Sequence, residues 1–275
     1  MRVALGQLDM VWENKEASIL RGEKMIREAA QAKADVIIFP EMSFAGFSMN
    51  LDQIGEPVGQ SLTRQRMSDL ARQYRIAIGY GWAALPEDSE MIRGETRGTN
   101  RFTLIDHQGN LVTEYAKIHP FTYGGELERF ARGEQIVSVP FLGRNISLFI
   151  CYDLRFPELF QIASKQSDIL FVIANWPGIR SAHWQTLLRA RAIETQSYLV
   201  GVNCYGSRDG DSYSGDSMAV DSIGNILGIL SGREGVLICD LDDRAWSLRQ
   251  KFSTRADRQE ELYGDYFSGK RKVAE

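Results

Sequence analysis

Three residues of this chain carry reactive side chains just after strand-like runs. Glu41 follows the run at 35–39 and Pro40, Lys117 follows 111–116, and Cys151 follows 145–150. A carboxylate, an ammonium and a thiol gathered in one place can perform covalent carbonyl chemistry. The carboxylate takes the thiol proton, the ammonium stabilises a thiolate and a developing oxyanion, and the sulfur attacks the carbonyl carbon. Each residue also has a plain structural reading. A free cysteine is commonly a small buried apolar side chain, and Glu41 or Lys117 alone fits an ion pair at a sheet edge. The three together favour chemistry.

Cys151 opens the segment Cys-Tyr-Asp-Leu-Arg-Phe-Pro-Glu-Leu-Phe at 151–160, where a strand gives way to what reads as a helix start. The unpaired N–H groups of such a turn are expected to favour thiolate over thiol. A histidine is the alternative base for a cysteine nucleophile. His119 and His183 are the candidates; His119 can equally fix a loop through hydrogen bonds, and His183 falls inside a helical pattern that points to packing or surface.

Strands and helices must deliver these residues to one place. Apolar patterning predicts strands at 2–8, 35–39, 76–83, 101–106 and 111–116, with a turn at 108–110. Helices are predicted at 15–33, with Asn14 as N-cap and Ile19, Leu20, Ile26, Ala29 and Ala30 at helical spacing, and at 62–74, with Leu70, Ala71 and Tyr74 facing inward. The second half repeats the theme: strands at 145–150, 168–174, 198–203, 217–221, 226–230 and 235–240, and helices at 156–166, 181–197 and from about 244. The run at 35–39 is continuously apolar, as in a strand buried on both faces. Such strands need cover on both sides, which two packed sheets with helices outside would supply. No Pro/Gly/Ser-rich linker interrupts the chain, so residues 1–275 read as a single domain with a charged tail from about 255. The long polar stretch 86–99 reads as a mobile loop near a site or an interface. If the strands at 35–39, 111–116 and 145–150 are neighbours, their carboxyl ends share one pocket.

Composition narrows the function classes. The chain has 275 residues, 44% hydrophobic and 25% charged, as in an ordinary soluble globular protein. A formal charge of −4 and the lack of a basic, aromatic-interleaved stretch argue against nucleic acid. No apolar run approaches eighteen residues, so no membrane span is expected, and polar residues interrupt the N-terminus too soon for a signal peptide. Cys151, Cys204 and Cys239 are odd in number and far apart, which argues for a reducing, cytoplasmic compartment. Cys204 and Cys239 read as packing residues. The cysteines and histidines lack zinc-site spacing, so no metal is expected.

Three segments carry a resemblance. Phe-Pro-Glu at 39–41, Tyr-Ala-Lys-Ile-His-Pro-Phe at 115–121 and Cys-Tyr-Asp-Leu-Arg-Phe-Pro-Glu-Leu at 151–159 resemble the three catalytic motifs of the nitrilase superfamily of carbon–nitrogen hydrolases. Their order, positions at strand exits and separations match, and the likeness runs over about residues 1–255. The resemblance implies an α/β fold, a four-layer αββα sandwich in which two mixed sheets pack face to face with helices outside. It further implies no cofactor, and a homodimer or larger homo-oligomer. By the same resemblance Glu41 would be the general base, Lys117 the oxyanion stabiliser, Cys151 the nucleophile, and the Tyr152 backbone N–H a further oxyanion donor. A second glutamate is expected in the loop after the lysine; Glu126, followed by Phe130 and Gly133, fits, and Glu128 competes.

Ala-Asn-Trp-Pro at 174–177, then His183, Trp184 and the helix after them, is similar to the omega-amidase branch. That branch hydrolyses the terminal amide of short dicarboxylic acids such as 2-oxoglutaramate and 2-oxosuccinamate. A small amide of this kind carries a carboxylate that Arg155 can clamp bidentately, and Trp176 can wall its acyl chain. The structural alternatives are a pairing of Arg155 with Asp153 or Glu158, and Trp176 as core. Among enzymes the rivals are an N-carbamoyl amide hydrolase or an aliphatic amidase, which share the triad; nitrile hydrolysis is disfavoured by the Asn-Trp-Pro segment. A partner-binding protein on the same fold would have lost a triad member, and none is lost.

Overall fold

Alternation along the first strand explains the layers. In β1 (Arg2–Gln7), Val3 and Leu5 join one apolar cluster while Ala4, between them, joins another. Successive strand side chains face opposite ways, so β1 is covered on both sides. A computed structural model describes residues 1–87, 94–208, 210–242 and 244–273, apart from the side chains of 244–246.

The first sheet contains β1, β2 (Val36–Ile38), β3 (Ala77–Ala84), β4 (Thr99–Ile105), β5 (Leu111–Ala116) and β13 (Gly235–Asp240) in the order β13-β1-β2-β3-β4-β5. Strands β1, β2 and β3 are parallel, while β13, β4 and β5 join by antiparallel pairing. The second sheet contains β6 (Val139–Phe141), β7 (Arg144–Ile150), β8 (Ile169–Ala174), β9 (Tyr198–Asn203), β10 (Tyr205–Arg208) and β11 (Asp211–Val220), with β12 (Ile226–Ser231) paired to β11. Its centre, β7-β8-β9, is parallel.

Helices α1 (Lys15–Gln31) and α3 (Leu62–Tyr74) cover the outer face of the first sheet. Ile26, Ala29, Met67 and Leu70 pack there on Ala4, Ile37 and Ile78. Asn14 caps α1 by accepting from the Ala17 N–H at 3.0 Å, as expected. Leu20 is 55% exposed and lies off the packed stripe, against its predicted place in the apolar repeat. The inner faces meet in a second cluster that holds Val3, Leu5, Val36, Ile38, Phe102 and Leu104 together with Leu148, Ile150, Val172 and Val200. Helices α5 (Pro157–Ala163) and α6 (Ser181–Thr195) close the far side of the second sheet with Phe160, Trp184, Leu188 and Ala192. Gly201 of β9 is where Leu188 and Trp184 come closest; a Cβ there would meet Leu188 at 2.5 Å. The result is a four-layer helix–sheet–sheet–helix sandwich, and every residue of β8 is buried.

Several elements differ from expectation. The helix predicted at 156–166 is α5, shorter and starting at Pro157, because 151–155 form a separate 3-10 turn. Strands β6 and β10 and the first half of β11 have no counterpart in the prediction. Their pairing is a backbone matter, with prolines, glycines and polar side chains in place of an apolar repeat. Of the polar stretch 86–99, residues 88–93 lie outside the described residues. Its far end returns to α4 (Glu126–Arg129), where the Gly98 N–H donates to the Arg129 carbonyl at 3.0 Å and the Ala131 N–H to the Gly98 carbonyl at 2.7 Å. The C-terminal segment forms α7 (Arg244–Lys251) and α8 (Glu260–Phe267), and α8 buries none of its residues. No described helix is long and apolar enough to cross a membrane.

Candidate active site

Strand direction brings the three reactive residues to one end. Strands β2, β3 and β5 run the same way, since β4 is antiparallel to both its neighbours, so Glu41 and Lys117 leave the first sheet at the same edge. Cys151 leaves β7 of the facing sheet. The strands are not neighbours, contrary to the simplest expectation: β3 and β4 separate β2 from β5, and Cys151 belongs to the other sheet. The site spans the sandwich.

Lys117 lies at the centre of a buried ionic cluster. Its ammonium donates to Glu41 Oε1 at 2.7 Å and to Glu126 Oε2 at 2.8 Å. Glu41 and Glu126 are 0% exposed and Lys117 is 1% exposed, so these charges are stabilised by one another and by nearby dipoles. Asn100, on β4, donates through Nδ2 to Glu41 Oε1 at 2.7 Å and to Glu126 Oε1 at 2.9 Å, bridging the two carboxylates. The Phe121 N–H donates to Glu126 Oε2 at 2.5 Å, and the Asn175 N–H to Glu41 Oε2 at 2.9 Å. Burial opposes the Lys117 charge, but Glu126 and Glu41 outweigh it and hold the ammonium above the usual lysine range. Glu126 is pushed up, by burial first and by Glu41, against the pull of Lys117.

Each segment is locked by its neighbours. The turn carrying Glu41 rests on β3: the Ser43 N–H donates to the Gly81 carbonyl and the Gly81 N–H to Ser43 Oγ, both at 2.9 Å. Asn175 Nδ2 donates to the Glu41 carbonyl at 2.6 Å, tying that turn to the end of β8. Behind the carboxylates a small apolar cluster joins Met42, Phe130 and Ala83 with Leu51 and Ile54 of α2 (Leu51–Ile54). Lys117 is held by its own backbone, whose N–H donates to the Asn100 carbonyl at 2.9 Å.

Cys151 has a φ of +46°, in the left-handed region. It starts the 3-10 turn Cys151–Arg155, whose first amides have no acceptor within the turn. Asp153 fixes this elbow. Its carboxylate accepts from the Ile150 N–H at 3.1 Å, from Tyr115 Oη at 2.7 Å and from the His119 N–H at 3.0 Å. The thiol is pushed well up, by burial and then by the Glu41 carboxylate, with Lys117 opposing. Burial and the Glu41 carboxylate thus act against the thiolate that the turn amides were expected to favour.

The predicted residues fall into place unevenly. Glu41, Lys117, Glu126 and Cys151 come together, whereas Glu128 is exposed on the outer side of α4. His119 stacks on Phe156 with ring centres 3.7 Å apart, and its Nδ1 lies 3.0 Å from Asp153; it fixes the elbow. His183 lies 3.4 Å from an Arg155 nitrogen. Arg155 pairs with neither Asp153 nor Glu158; its guanidinium lies 4.8 Å from the centre of the Trp176 ring. Trp176 is 3% exposed, packs on Trp184 and still lines the cavity. Asn100 and Arg180 had no assigned role, Asp153 was named only as a possible partner of Arg155, and Asn175 was noted only within a segment. A lone polar residue in or after a strand has no local pattern to mark it. Cys204 and Cys239 are buried, as expected of packing residues.

A cavity of about 60 Å³ opens at Cys151, lined by Phe47, Phe121, Tyr152, Trp176 and Tyr213, by Asn175 and Pro177, and by the charged residues Arg155, Arg180 and Asp211. Wider clefts lie elsewhere. One of about 700 Å³ along β4 and β5 contains Arg97–Glu95 and Arg101–Glu114 pairs at 2.6 Å and no nucleophile. Among the described residues no group of three His, Cys, Asp or Glu side chains could hold a metal ion.

Comparison with known proteins agrees with this geometry. Residues 2–250 match the carbon-nitrogen hydrolase family model. The omega-amidase YafV of Yersinia enterocolitica is 34% identical over 227 residues, 82% of this chain and 83% of that protein. The 2-oxoglutaramate amidase of Bacillus subtilis is 28% identical over 260 residues, 94% of this chain and 97% of that one. Among solved structures, XC1258 of Xanthomonas campestris, a CN-hydrolase superfamily protein with an arsenic adduct in its active site, superposes with a TM-score of 0.85 at 26% identity, covering 94% of this chain and 97% of that one. An amidase from Nesterenkonia sp. AN1, carrying the acetamide moiety of fluoroacetamide on its active-site cysteine, gives 0.84 at 25% identity, covering 97% and 96%. With a buried carboxylate–ammonium–thiol cluster at the end of a four-layer sandwich and a family match over nearly its whole length, this chain belongs to the carbon–nitrogen hydrolase family.

Proposed function

We propose that the chain is an omega-amidase, a thiol-dependent hydrolase that releases ammonia from the terminal amide of a short dicarboxylic acid of the 2-oxoglutaramate or succinamate type. The observation that carries this reading is Lys117, shared by two buried carboxylates beside the thiol that opens into a cavity lined in part by Arg155 and Arg180. The omega-amidase and 2-oxoglutaramate amidase relatives support it.

Chemistry follows from the proton inventory. Burial and the Glu41 carboxylate push the sulfur towards the thiol form, so attack needs a base, and Glu41 is the carboxylate that acts on it most strongly. As Cys151 Sγ bonds to the amide carbon, the thiol proton passes to Glu41 and the carbonyl oxygen gains the negative charge. Lys117 has three N–H bonds; two are engaged by Glu41 and Glu126, and the third is available to the oxyanion together with the Tyr152 backbone N–H. Collapse of the tetrahedral intermediate breaks the C–N bond, and Glu41 returns the proton to the leaving nitrogen as ammonia departs. A thioester remains. Water, deprotonated by Glu41 with Glu126 polarising the cluster, then attacks the same carbon, and the thiol leaves with the proton. The covalent route replaces one high barrier with two lower ones.

Arg155 would hold the distal carboxylate and Trp176 the acyl chain, which a narrow cavity favours over bulky substrates. No cofactor enters this scheme. Three cysteines without a disulfide support a reducing, cytoplasmic setting. We further read residues 1–275 as one catalytic domain, with the tail from about 255 available for assembly as a homodimer or larger homo-oligomer.

The test combines intact mass and ammonia release. Wild type incubated with succinamate should show a Cys151 acyl adduct that Cys151→Ala lacks, and turnover should exceed that on N-carbamoyl amino acids and nitriles. Strong turnover of a carbamoyl compound with none on succinamate would overturn the substrate class. No adduct and no ammonia from any amide would overturn the hydrolase reading itself.

A further inference from the structure

The second sheet brings to the cavity a hydroxyl that the mechanism leaves unused. Alternation along β11 turns Asp211 and Tyr213 to the same side, and both line the cavity at Cys151. Tyr213 is 5% exposed. Its hydroxyl has no hydrogen-bond partner among the described residues and, unlike that of Tyr80, is not sealed from solvent. The rest of the side chain is buried and the residue lines the cavity, so its open end is the hydroxyl, facing that cavity. Its neighbours fix the placement. Arg208, opposite Asp211 on β10, holds its guanidinium 4.8 Å from the centre of the Tyr213 ring. Arg208 is itself anchored by donating to Asp9 Oδ1 at 3.1 Å, to Cys204 Sγ at 3.2 Å and to the Tyr205 carbonyl. The backbone on either side of Tyr213 rests on the turn after Trp176: a Cβ on Gly178 would meet the Ser212 carbonyl at 3.2 Å and the Ser214 nitrogen at 3.4 Å.

Burial, then Cys204 and Asp211, push the phenol up, so it keeps its proton and offers an O–H donor. A short dicarboxylic acid amide has two kinds of acceptor, the scissile carbonyl and the distal carboxylate. Lys117 and the Tyr152 backbone N–H serve the first. The carboxylate has about four lone-pair sites, and a bidentate guanidinium takes only two of them. Resting on the omega-amidase reading, we infer that Tyr213 is a specificity-determining residue whose hydroxyl donates to the distal carboxylate of the substrate beside Arg155. A solvated guanidinium attracts any anion, whereas a hydroxyl carried on a buried, anchored ring adds a fixed direction. An acyl chain ending in a methyl group offers that hydroxyl no acceptor. Sites built to hydrogen-bond a substrate group discriminate strongly against analogues lacking it.

The experiment compares succinamate with butanamide, which carries a methyl group in place of the carboxylate, in wild type and Tyr213→Phe. The variant keeps the ring and removes only an oxygen that no protein group holds. In Tyr213→Phe the ratio of kcat/KM for succinamate to that for butanamide should fall about tenfold to a hundredfold, the size expected for one hydrogen bond to a charged group, mainly through KM. Succinate, the product, should bind the variant at least about tenfold more weakly than wild type in titration calorimetry. An unchanged ratio, or undiminished succinate binding, overturns the inference and leaves the omega-amidase reading intact. Equal losses on both amides also overturn it, since they would mark Tyr213 as a packing residue. If wild type does not prefer succinamate over butanamide, the omega-amidase reading fails, and the role of Tyr213 with it.

Discussion

Asn100 shows what individual residues do in this site. One neutral amide donates to both carboxylates while its own Oδ1, buried, has no partner. An unsatisfied buried acceptor costs about 1–3 kcal/mol, a cost accepted where it holds Glu41 and Glu126 in place around Lys117. Glu126 offers a sharper test. Its raised pKa means the native state binds the proton more readily than the unfolded chain, whose reference is 4.5. The stability it contributes is therefore full below about pH 4.5 and lost as pH rises through the raised value. Glu126→Gln cannot ionise, so its stability relative to wild type should increase from pH 4 to pH 7 in urea unfolding at both values. Its kcat should fall about a hundredfold, as for loss of acid–base assistance, and the acid limb of kcat/KM should move to lower pH because one carboxylate is gone. An unmoved acid limb would remove Glu126 from the reaction. Glu41, Lys117 and Cys151 were legible in the sequence because each follows a strand-like run within a motif. Asn100 and Arg180 were not, since nothing local distinguishes them from any polar residue near a strand.

Among the elements, β3 is the platform on which the Glu41 turn sits. Gly81 makes that contact possible: a Cβ there would lie 2.5 Å from the Met42 nitrogen and 2.8 Å from the Glu41 Cα. Backbone cannot yield as a flexible side chain does. Gly81→Ala should therefore displace the Glu41 turn, destabilising the protein by about 1–3 kcal/mol and lowering kcat about a hundredfold, the usual penalty for a misplaced catalytic group. Full activity in a folded Gly81→Ala protein would show that the turn tolerates the shift. Strands with strong apolar runs, β2, β7, β8 and β9, were readable because burial on both faces demands such runs. Strands β6 and β10 were not, because strands of three or four residues are too short to show a repeat and are held by their partners' backbone.

In the whole molecule the chemistry depends on two sheets staying in register. Tyr115, at the end of β5, reaches across to Asp153 in the elbow after β7, and His119 in the Lys117 loop does the same. This bridge ties the ammonium of one sheet to the thiol of the other. Asp153→Asn should lower stability by about 2 kcal/mol, as for hydrogen bonds to a charged group, and Tyr115→Phe by about 1 kcal/mol. In a double-mutant cycle the two should couple by at least about 0.5 kcal/mol, and both should reduce kcat through misalignment. Additive effects would mean the bridge is not one unit.

By itself the chain determined the longer strands and helices, the reactive side chains at their exits and the family they resemble, because local apolar patterning and short motifs are written in consecutive residues. Only the tertiary structure decided that those exits meet from opposite sheets, that Glu126 rather than Glu128 joins Lys117, that burial and Glu41 push the Cys151 thiol up, and that Arg180 and Arg155 line one cavity. Each depends on which distant segments pack together, and burial and charge proximity take their values only when the layers close.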